Sequence, residues 1–595
     1  FNETTKQLDL YYLYHTIKYI NDNKSIEDNN KIYVQSNESQ SIVNVKARVI
    51  SKGKVIYEAT QKDFKEVEEE GRKYNMLAVE GLEKGVVIEY ISITKLTEFE
   101  LYDDDYFQLN APIKKAEFYL IVPGHTDFRC KSYNGFGNIA DSTVDGRHVY
   151  YGTSLNIPAI DNEEKYSLVN ANKQRIEYVY YYNKETKKMN AKWPELGRTF
   201  FDRVNYNYDK NQKDLDKILA KIDLKTAAND VEKVFRIENF LKTNISLDQE
   251  SEDAPTFMES LKKKAASQYR FNQIMAQAFR KAGIPVEIIL TCTKDYKRFD
   301  PDFDSWSYLR NVLFYMPSVK QYIDPSQSFK RVGTINTDYL GQDGLFIKIV
   351  EIGDAVSATA SVKTIAANDV TKSRDEETYT ASFNNDLGSL NIHYDRKMNG
   401  YSEQGLKSVY FVVDDEKKKE FIEGFVKGLA KDAKLENLKV ENYDPTKFDE
   451  VYKPFGINAD LAADYYVEPV GEGKILLKVG ELIGQQSEMY QDKPRFTPID
   501  IDFTHSYNRQ IMITIPTGYK VKGLDKLNMN FAYNNAKGQP SFGFISSCKE
   551  ESGKIMITCT EYYNDITYPV AQFNEFKKVI NAAADFNKIS ILFEK

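Results

Sequence analysis

The most informative part of the sequence is KAASQYRFNQIMAQAFRKAG at residues 264–283, followed directly by IPVEIILTC at residues 284–292. Ser267 is a suitable helix N-cap, Gly283 stands where a helix needs a left-handed stop, and Pro285 prevents continuation. Apolar residues recur between these limits at the spacing of one helical face: Phe271, Ile274, Met275, Ala278 and Phe279. A β-branched, aliphatic run follows. The pattern therefore predicts a buried helix that runs into a buried strand.

This helix–strand unit resembles the centre of transglutaminase-like domains, which have a papain-type core. In that family the helix ends in R-x-x-G-I-P, matched here by Arg280, Gly283, Ile284 and Pro285. In active members a Gly-Asp-Cys precedes the helix, and the cysteine is activated by the helix dipole and a nearby histidine. Counting back from Gly283, the cysteine position falls on Gln268. A glutamine amide has no acidic proton to lose and cannot act as this nucleophile.

The resemblance places the other two triad residues downstream. The family histidine begins a strand in an F-N-H-V pattern, and the sequence FDSW at residues 303–306 puts Ser305 at that position. Asp324, in Asp-Pro-Ser, resembles the Asp-Pro-Thr aspartate of active relatives. None of the five histidines lies within residues 198–345. We therefore expect no catalytic residues, only vestigial triad positions at Gln268, Ser305 and Asp324.

The resemblance also implies that these three positions converge, joined by neutral hydrogen bonds in place of a thiolate–imidazolium pair. Ser267, Tyr269 and Trp306 are the candidate residues that line the cleft beside them. Ser267 is interpreted as an N-cap rather than a nucleophile, because Tyr269 and Arg270 offer no base to activate it. Such a cleft would be polar but unreactive.

The regions on either side of the helix-rich segment read as strands separated by turn residues. Residues 80–93, EGLEKGVVIEYISI, resemble the domain of unknown function DUF3857, which precedes transglutaminase-like domains in many bacterial exported proteins. Residues 569–595 resemble DUF3858, the C-terminal β domain paired with this family. The expected fold class is multidomain α+β. The expected domains are a β-sandwich at 1–197, a transglutaminase-like (cysteine-proteinase-like) α+β core at 198–345, and a β-rich domain with an inserted helix at 346–595.

The four cysteines are too few for a disulfide framework in a chain of 595 residues. Cys292 lies beyond the predicted strand, and we expect a structural thiol out of contact with the three triad positions. Cys548 and Cys559 flank a predicted hairpin and would lie diagonally across it. Two unpaired thiols are favoured there, although a disulfide stays open as the alternative.

Two acidic clusters could suggest metal sites. The alternation of Asp300, Asp302 and Asp304 resembles the start of a calcium loop. However, Ser305 replaces the required glycine and Asn311 replaces the bidentate glutamate. The second cluster, Asp103–Asp105, has no such pattern. Both are interpreted as loops, and we expect no metal and no cofactor, since the sequence contains no zinc-type spacing and no glycine-rich phosphate loop.

The net charge is 80 − 88 = −8, which argues against a nucleic-acid partner. No run approaches the roughly 18 apolar residues of a membrane span. The chain begins at Phe1, and we expect a removed signal peptide and a place in the periplasm or cell envelope.

Three functional hypotheses follow from the sequence. The first is a non-catalytic transglutaminase-like protein that binds a polypeptide or glycan partner. The second is a hydrolase or acyl transferase, of cysteine protease or transglutaminase type, with an unrecognised nucleophile. The third is a structural component of an envelope assembly. The oligomeric state stays open.

Overall fold

A computed structural model of the protein describes residues 9–37, 39–69, 72–97, 99–248, 253–352, 355–430, 432–490 and 494–595. A helix-rich core lies between β-rich N-terminal and C-terminal regions, so the predicted multidomain α+β fold class is confirmed. No helix among the described residues is both long enough and apolar enough to span a membrane.

The N-terminal region is built almost wholly from strands. Its elements are β1 (Leu10–Tyr19), α1 (Asn23–Asn29), β2 (Lys31–Gln35), β3 (Gln40–Ser51), β4 (Lys54–Thr60), β5 (Lys65–Glu69), β6 (Arg72–Ala78), β7 (Val87–Leu96), β8 (Tyr102–Tyr106), β9 (Ile113–Pro123), β10 (Thr126–Tyr133), β11 (Ile139–Val144), β12 (Arg147–Ile157), α2 (Val169–Asn172), β13 (Arg175–Asn183) and β14 (Lys188–Met189). They form the sheets β1-β7-β3-β4, β2-β6-β5 and β9-β12-β11, and a sheet β10-β13-β14 in which β8 also pairs with β13.

Two hydrophobic cores lie between these N-terminal sheets. Along β3 the buried residues Val45, Ala47 and Val49 alternate with exposed ones, and they pack against β2 and β6 of the facing sheet. A second core contains Phe118 of β9 and Tyr178 of β13. The predicted N-terminal β-sandwich is thus two small packed pairs of sheets.

The central region contains five helices and a five-stranded antiparallel sheet. Its elements are α3 (Trp193–Val204), α4 (Tyr208–Leu219), α5 (Asp230–Asn244), β15 (Ser246–Leu247), α6 (Phe257–Lys263), β16 (Ala265–Ala266), α7 (Gln268–Lys281), β17 (Glu287–Thr291), β18 (Asn311–Met316), β19 (Gln321–Ile323), β20 (Asp343–Ile352) and β21 (Ala355–Thr364). The sheet has the order β19-β18-β17-β20-β21.

Helix α7 and strand β17 form where the sequence predicts them. The Ser267 hydroxyl oxygen accepts a hydrogen bond from the backbone N–H of Arg270 at 3.1 Å, as an N-cap does. Gly283 has a φ of +71°, the left-handed conformation that ends the helix. The apolar face of α7 packs in one cluster with Ile288 and Leu290 of β17. The predicted buried helix and buried strand are confirmed.

The core extends beyond residues 198–345 in both directions. Leu196 of α3 is buried in the same cluster as Ile347 of β20, and β21 completes the core sheet. The boundaries predicted at 197/198 and 345/346 therefore cut through α3 and β20. An alternating pattern identifies a strand but does not say which sheet the strand joins. We place the core at residues 193–364.

The C-terminal region combines an eight-stranded sheet with helices on its faces. Its elements are β22 (Arg374–Phe383), β23 (Leu390–Met398), α8 (Tyr401–Val412), α9 (Asp415–Lys427), β24 (Lys434–Glu441), α10 (Phe448–Val451), β25 (Phe455–Ala463), β26 (Val467–Gly471), β27 (Lys474–Leu477), β28 (Ile499–Asp500), β29 (His505–Thr514), β30 (Lys520–Lys522), β31 (Met529–Asn534), β32 (Pro540–Glu551), β33 (Lys554–Tyr563), β34 (Thr567–Tyr568), α11 (Phe573–Asn587) and β35 (Ile591–Glu594). The large sheet has the order β24-β25-β23-β22-β29-β33-β32-β31, and β26-β27-β35-β30 forms a smaller one.

The hairpin of β32 and β33 carries two of the four cysteines. Cys548 lies opposite Ile557, whereas Cys559 lies opposite Ser546, so the two thiols are diagonal neighbours. Both are unpaired. The favoured interpretation of two separate thiols is confirmed, and the disulfide alternative is wrong.

The packing of α3 on the core sheet leads to a stability prediction. A Cβ added at Gly197 would lie 2.4 Å from the Cβ of Ala360 on β21. We expect Gly197→Ala to lower the free energy of unfolding by about 1–3 kcal/mol, because the helix must move off the sheet. In α8, a Cβ added at Gly405 meets nothing within 4 Å. We expect Gly405→Ala to be neutral or to stabilise by up to about 1 kcal/mol through helix propensity. Urea unfolding curves of the two variants provide the measurement, and equal midpoints would contradict the placement of α3.

Candidate functional site

The start of α7 is anchored by Asp253. One carboxylate oxygen of Asp253 accepts a hydrogen bond from the Ser267 backbone N–H at 3.0 Å, and the other accepts one from the Ser267 hydroxyl at 2.8 Å. The hydroxyl oxygen also caps the N–H of Arg270. Ser267 is therefore engaged on both sides as the N-cap of the helix, as the sequence predicts.

This anchor leads to a second stability prediction. Loss of an N-cap side chain typically costs about 0.5–2 kcal/mol. We expect Ser267→Ala to lower the free energy of unfolding of the core within that range, and Ser267→Thr, which keeps the hydroxyl, to restore most of it. Urea unfolding followed by tryptophan fluorescence measures both. Equal losses in the two variants would show that the cap is not what Ser267 contributes.

Gln268 is the first residue of α7 and is half-buried. Its Nε2 donates to Oδ1 of Asn272, one turn along the same helix, at 2.9 Å. The Tyr269 hydroxyl donates to the carbonyl of Arg203 at 2.9 Å, and Nε2 of Gln273 donates to the same carbonyl at 2.8 Å. The position that the resemblance gives to the nucleophile thus carries an amide, and the end of α3 packs directly beside it.

Ser305 lies inside the protein rather than in a cleft. Its hydroxyl donates to Oγ of Ser307 at 3.0 Å, and Ser307 accepts a hydrogen bond from Nζ of Lys297 at 3.1 Å. Lys297 in turn donates to Glu177 of β13 at 3.2 Å. All four side chains are buried. Ser305 therefore belongs to a buried polar network that joins the core to the N-terminal region.

The strand that follows this loop does not begin near Ser305. A 3₁₀ turn at Trp306–Tyr308 intervenes, and β18 begins at Asn311, which pairs with Thr291 at the end of β17. Because the resemblance puts the imidazole at the start of the strand, Asn311 rather than Ser305 occupies that place. The assignment of Ser305 is wrong. FDSW is similar to F-N-H-V in its letters, but the apolar run that marks the strand begins after Asn311. An asparagine is no more a base than a serine.

Asp324 follows β19 and forms a turn. One of its carboxylate oxygens accepts hydrogen bonds from the backbone N–H and the hydroxyl of Ser326, at 3.0 and 2.6 Å. The other accepts one from the N–H of Asn336 at 3.1 Å. Asp324 is buried and its oxygens are occupied by these local donors, which supports its interpretation as a turn-former.

The three vestigial positions do not form a hydrogen-bonded triad. Within the described ranges, no hydrogen bond joins Gln268, Ser305 and Asp324, because each takes its partners from its own segment. The expectation of a neutral triad is wrong in this respect. Arg203 makes the contacts at the start of α7 instead, since its guanidinium lies 5.8 Å from the centre of the Trp306 ring while its carbonyl accepts from Tyr269.

These contacts define an accessible surface at the start of α7. We call it the helix-start surface, and it consists of Arg203, Tyr206, Gln268, Tyr269 and Trp306. Tyr206 and Tyr269 are 64% and 42% exposed, respectively. Of the predicted cleft residues, Tyr269 and Trp306 are thus brought together through Arg203, whereas Ser267 serves as the cap behind them.

Cys292, the thiol of the core, is fully buried away from this surface. Its Sγ lies 3.4 Å from the carbonyl of Lys297 and 3.5 Å from Nε2 of Gln342. Burial raises the pKa of the Cys292 thiol to about 12. The prediction that its sulfur does not contact the triad positions is confirmed by these partners.

The acidic clusters have protein donors as partners. The loop predicted at Asp103–Asp105 is wrong, because these residues lie in strand β8 and pair with β13. Asp300 accepts a hydrogen bond from the Tyr133 hydroxyl at 2.6 Å and pairs with Lys131. Asp304 accepts one from the N–H of Trp193 at 3.0 Å. Asp104 accepts one from the Tyr296 hydroxyl at 3.0 Å. These carboxylates tie the core to neighbouring segments rather than facing a shared centre.

Three family models match successive parts of the chain. DUF3857, a domain of unknown function with a solved structure, matches residues 10–161. The transglutaminase-like superfamily matches residues 217–322, and DUF3858, also a domain of unknown function with a solved structure, matches residues 474–593. No curated protein matches the chain.

A solved structure shows the same overall fold. A "putative protease" from Parabacteroides distasonis superposes with a TM-score of 0.58 at 13% identity, covering 99% of this chain and 96% of that one. A "putative cysteine protease" from Cytophaga hutchinsonii, 11% identical, covers 57% of this chain and 94% of its own, but its TM-score of 0.17 carries no structural argument. The first comparison shows a shared fold over nearly the whole length. The chain therefore carries, in this order, a region that matches DUF3857, a region that matches the transglutaminase-like superfamily and a region that matches DUF3858.

Proposed function

We propose that this protein is a non-catalytic transglutaminase-like protein that binds an extended polypeptide at the helix-start surface. The observation that carries the proposal is the first turn of α7, where Gln268 bonds to Asn272 in the place of an activated thiol. Asn311 stands at the start of the adjoining strand in the place of an imidazole. Neither side chain supplies a thiolate or a base near neutral pH.

The other nucleophile candidates in the core support the same proposal. Ser267 is occupied as a helix cap by Asp253 and Arg270. Ser305 and Ser307 lie next to Lys297, an arrangement that could activate a hydroxyl, but all three are buried. A nucleophile must reach its substrate, and these hydroxyls are closed off from solvent.

The helix-start surface has the chemistry that favours a polypeptide. The surface presents exposed Tyr206 and Tyr269, and Trp306 lies under the Arg203 guanidinium. Tyrosine, tryptophan and arginine are the residue types that contribute most of the binding energy at protein interfaces. The amide of Gln268 lies beside them and can pair with a peptide backbone. The shared fold with a protein described as a "putative protease" supports a polypeptide as the ligand, by analogy of fold.

Peptide selection tests the proposal. Extended peptides from a displayed library are enriched on the unmodified protein, and their affinities are then measured for Tyr269→Ala and Phe329→Ala. The two aromatic residues are equally exposed at 42%, and Phe329 contacts Phe411 instead of the helix-start surface. We expect Tyr269→Ala to weaken binding at least tenfold and Phe329→Ala to leave it within twofold. Equal affinities for both variants would contradict the assigned surface.

The proposal includes a place in the periplasm or cell envelope, which the resemblance to exported proteins supports. We expect the native protein to fractionate with periplasmic or envelope markers when source cells are separated into compartments. Recovery with cytoplasmic markers would contradict this part of the proposal while leaving the binding surface untouched.

A further inference from the structure

A second site lies in the C-terminal region, where a cavity of about 350 Å³ opens between the large sheet and α11. One wall is the sheet face formed by β23, β22, β29 and β33, and segment 483–487 borders the cavity opposite it. Tyr166 of the N-terminal region closes a side. It has a φ of +56°, which few residues other than glycine adopt, and Arg495 donates to its carbonyl at 2.6 Å. Segments far apart in sequence thus build one cavity.

The sheet wall carries a row of alternating charges on four adjacent strands: Arg396, Glu377, Arg509 and Glu561. Nε of Arg509 donates to Glu377 at 3.0 Å, and Nε of Arg396 lies 3.3 Å from the other oxygen of the same carboxylate. Glu561 accepts a hydrogen bond from the Tyr563 hydroxyl at 2.7 Å. The buried Asp375, on β22 beside the row, also accepts from Nε of Arg396 at 2.8 Å. Two cations and three carboxylates therefore form one network, and its formal charge is −1.

One hydrogen-bond donor of this row is unpaired. Arg509 is only 7% exposed, and its Nη1 has no hydrogen-bond partner in the described part of the chain. The nearest carboxylate oxygen, on Glu561, is 3.9 Å away. A buried guanidinium N–H without an acceptor is costly. Arg509 lines the cavity, so its guanidinium is the donor that an occupant would meet.

His505 supplies a hydrogen-bond acceptor. Its Nδ1 donates to the carbonyl of Phe503 at 2.8 Å, and burial lowers the pKa of the ring, which keeps it neutral. The Nε2 of a neutral ring with this tautomer is an acceptor. The cavity therefore offers both a donor and an acceptor to an occupant.

The remaining lining combines aromatic rings with aliphatic and uncharged polar side chains. The ring of Phe576 lies 5.5 Å from the rings of both Tyr166 and Tyr563, and Tyr507 lies under the Arg509 guanidinium at 5.0 Å. Aromatic faces pack against the C–H surfaces of a ligand, while surrounding polar groups bond its hydroxyls. A ligand that presents both kinds of surface is polyhydroxylated and compact.

We propose that this cavity binds one neutral sugar residue, either as a free sugar or as the end of a glycan chain. Sugar hydroxyls both donate and accept hydrogen bonds. They can donate to Glu561 and His505 and accept from Arg509. A negatively charged ligand would be repelled by this network, whose formal charge is −1. The site is separate from the helix-start surface, and the inference does not rest on the proposed function.

Ligand-observed NMR tests this assignment on the full chain, with glucose, galactose, mannose and N-acetylglucosamine, each alone and as a linear oligosaccharide, and with glucuronic acid as the charged probe. Gln485 is an exposed residue at the cavity edge, and Gln485→Trp places a large ring at this entrance. Gln539→Trp is the matched control, because Gln539 is exposed on the same region but does not line the cavity. Arg509→Lys shortens the unpaired donor.

We expect at least one neutral sugar to bind saturably, glucuronic acid to bind at least tenfold more weakly than its neutral counterpart glucose, and Gln485→Trp to weaken binding at least tenfold. Gln539→Trp leaves the affinity within twofold. Tighter binding of the oligosaccharide identifies a glycan end, and equal binding identifies a free sugar. The proposal is overturned if no neutral sugar binds at about 50 mM, a concentration on the order of the weakest affinities of interest. It is also overturned if glucuronic acid binds as tightly as glucose, or if Gln485→Trp leaves binding unchanged. Since Gln485 is exposed, the test does not depend on whether Arg509→Lys folds.

Discussion

Glu177→Gln is expected to lower the free energy of unfolding of the core by about 3–5 kcal/mol, the usual cost of breaking a buried ion pair from one side. The Glu177 carboxylate accepts from Nε of Arg175 at 2.8 Å and from Nζ of Lys297 at 3.2 Å. All three side chains are at most 2% exposed. Removal of the negative charge leaves two buried cations close together. Among the carboxylates that the structure describes, Asp104 is then the one near Lys297, at 3.8 Å.

The measurement is urea unfolding followed by tryptophan fluorescence. The chain has only two tryptophans, Trp193 and Trp306, and both pack against the core cluster, so the signal reports this region. Glu551→Gln is the matched control, because Glu551 pairs with Lys549 at an exposed position and should change stability by less than about 0.5 kcal/mol. A loss below about 1 kcal/mol in Glu177→Gln would show that the network around Ser305 does not join the core to the N-terminal region.

The Gln268→Cys variant is expected to be alkylated at least 100-fold faster than the unmodified protein. Burial raises the pKa values of Cys130, Cys292 and Cys559 to about 12 and that of Cys548 to about 11. At pH 7 a thiol of pKa 11 is about 0.01% thiolate, against about 3% for an ordinary cysteine. A cysteine at position 268 would lie at the N-terminus of α7, where the helix dipole favours the thiolate.

The rate of iodoacetamide labelling, with the labelled peptide identified by mass spectrometry, provides this measurement. Lys213→Cys is the control, because Lys213 is an exposed position in the middle of α4 and gives an ordinary thiol. We expect slow labelling of the unmodified protein, ordinary labelling at position 213, and faster labelling at position 268. Rapid modification of Cys292 in the unmodified protein would contradict its burial and restore it as a candidate nucleophile.

The central helix could be predicted because its signals are local. The N-cap Ser267, the apolar spacing and the stop at Gly283 are all contained in one short stretch, and each is found in the structure. The sheet membership of β20 and β21 could not be predicted in this way, because strand pairing depends on partners elsewhere in the chain.

The site was only partly predictable for the same reason. The amide at position 268 follows from counting back along one helix, but the partner of Ser305 is Lys297, which reaches across to Glu177 of the N-terminal region. The place of Asn311 at the start of β18 has a local signal, namely the apolar run that begins directly after it. The charged row of the C-terminal cavity has no sequence signature, since its four residues come from strands that meet only in the folded sheet.

Hydrolysis and transamidation assays of the unmodified protein test whether the start of α7 is unreactive. Fluorogenic peptide and ester substrates and an amine-acceptor assay are run beside Gln268→Ala and Ser267→Ala, because these two positions stand at the start of α7 where catalysis would occur. We expect rates equal to those of buffer for all three proteins. Turnover by the unmodified protein that Gln268→Ala or Ser267→Ala abolishes would contradict this expectation.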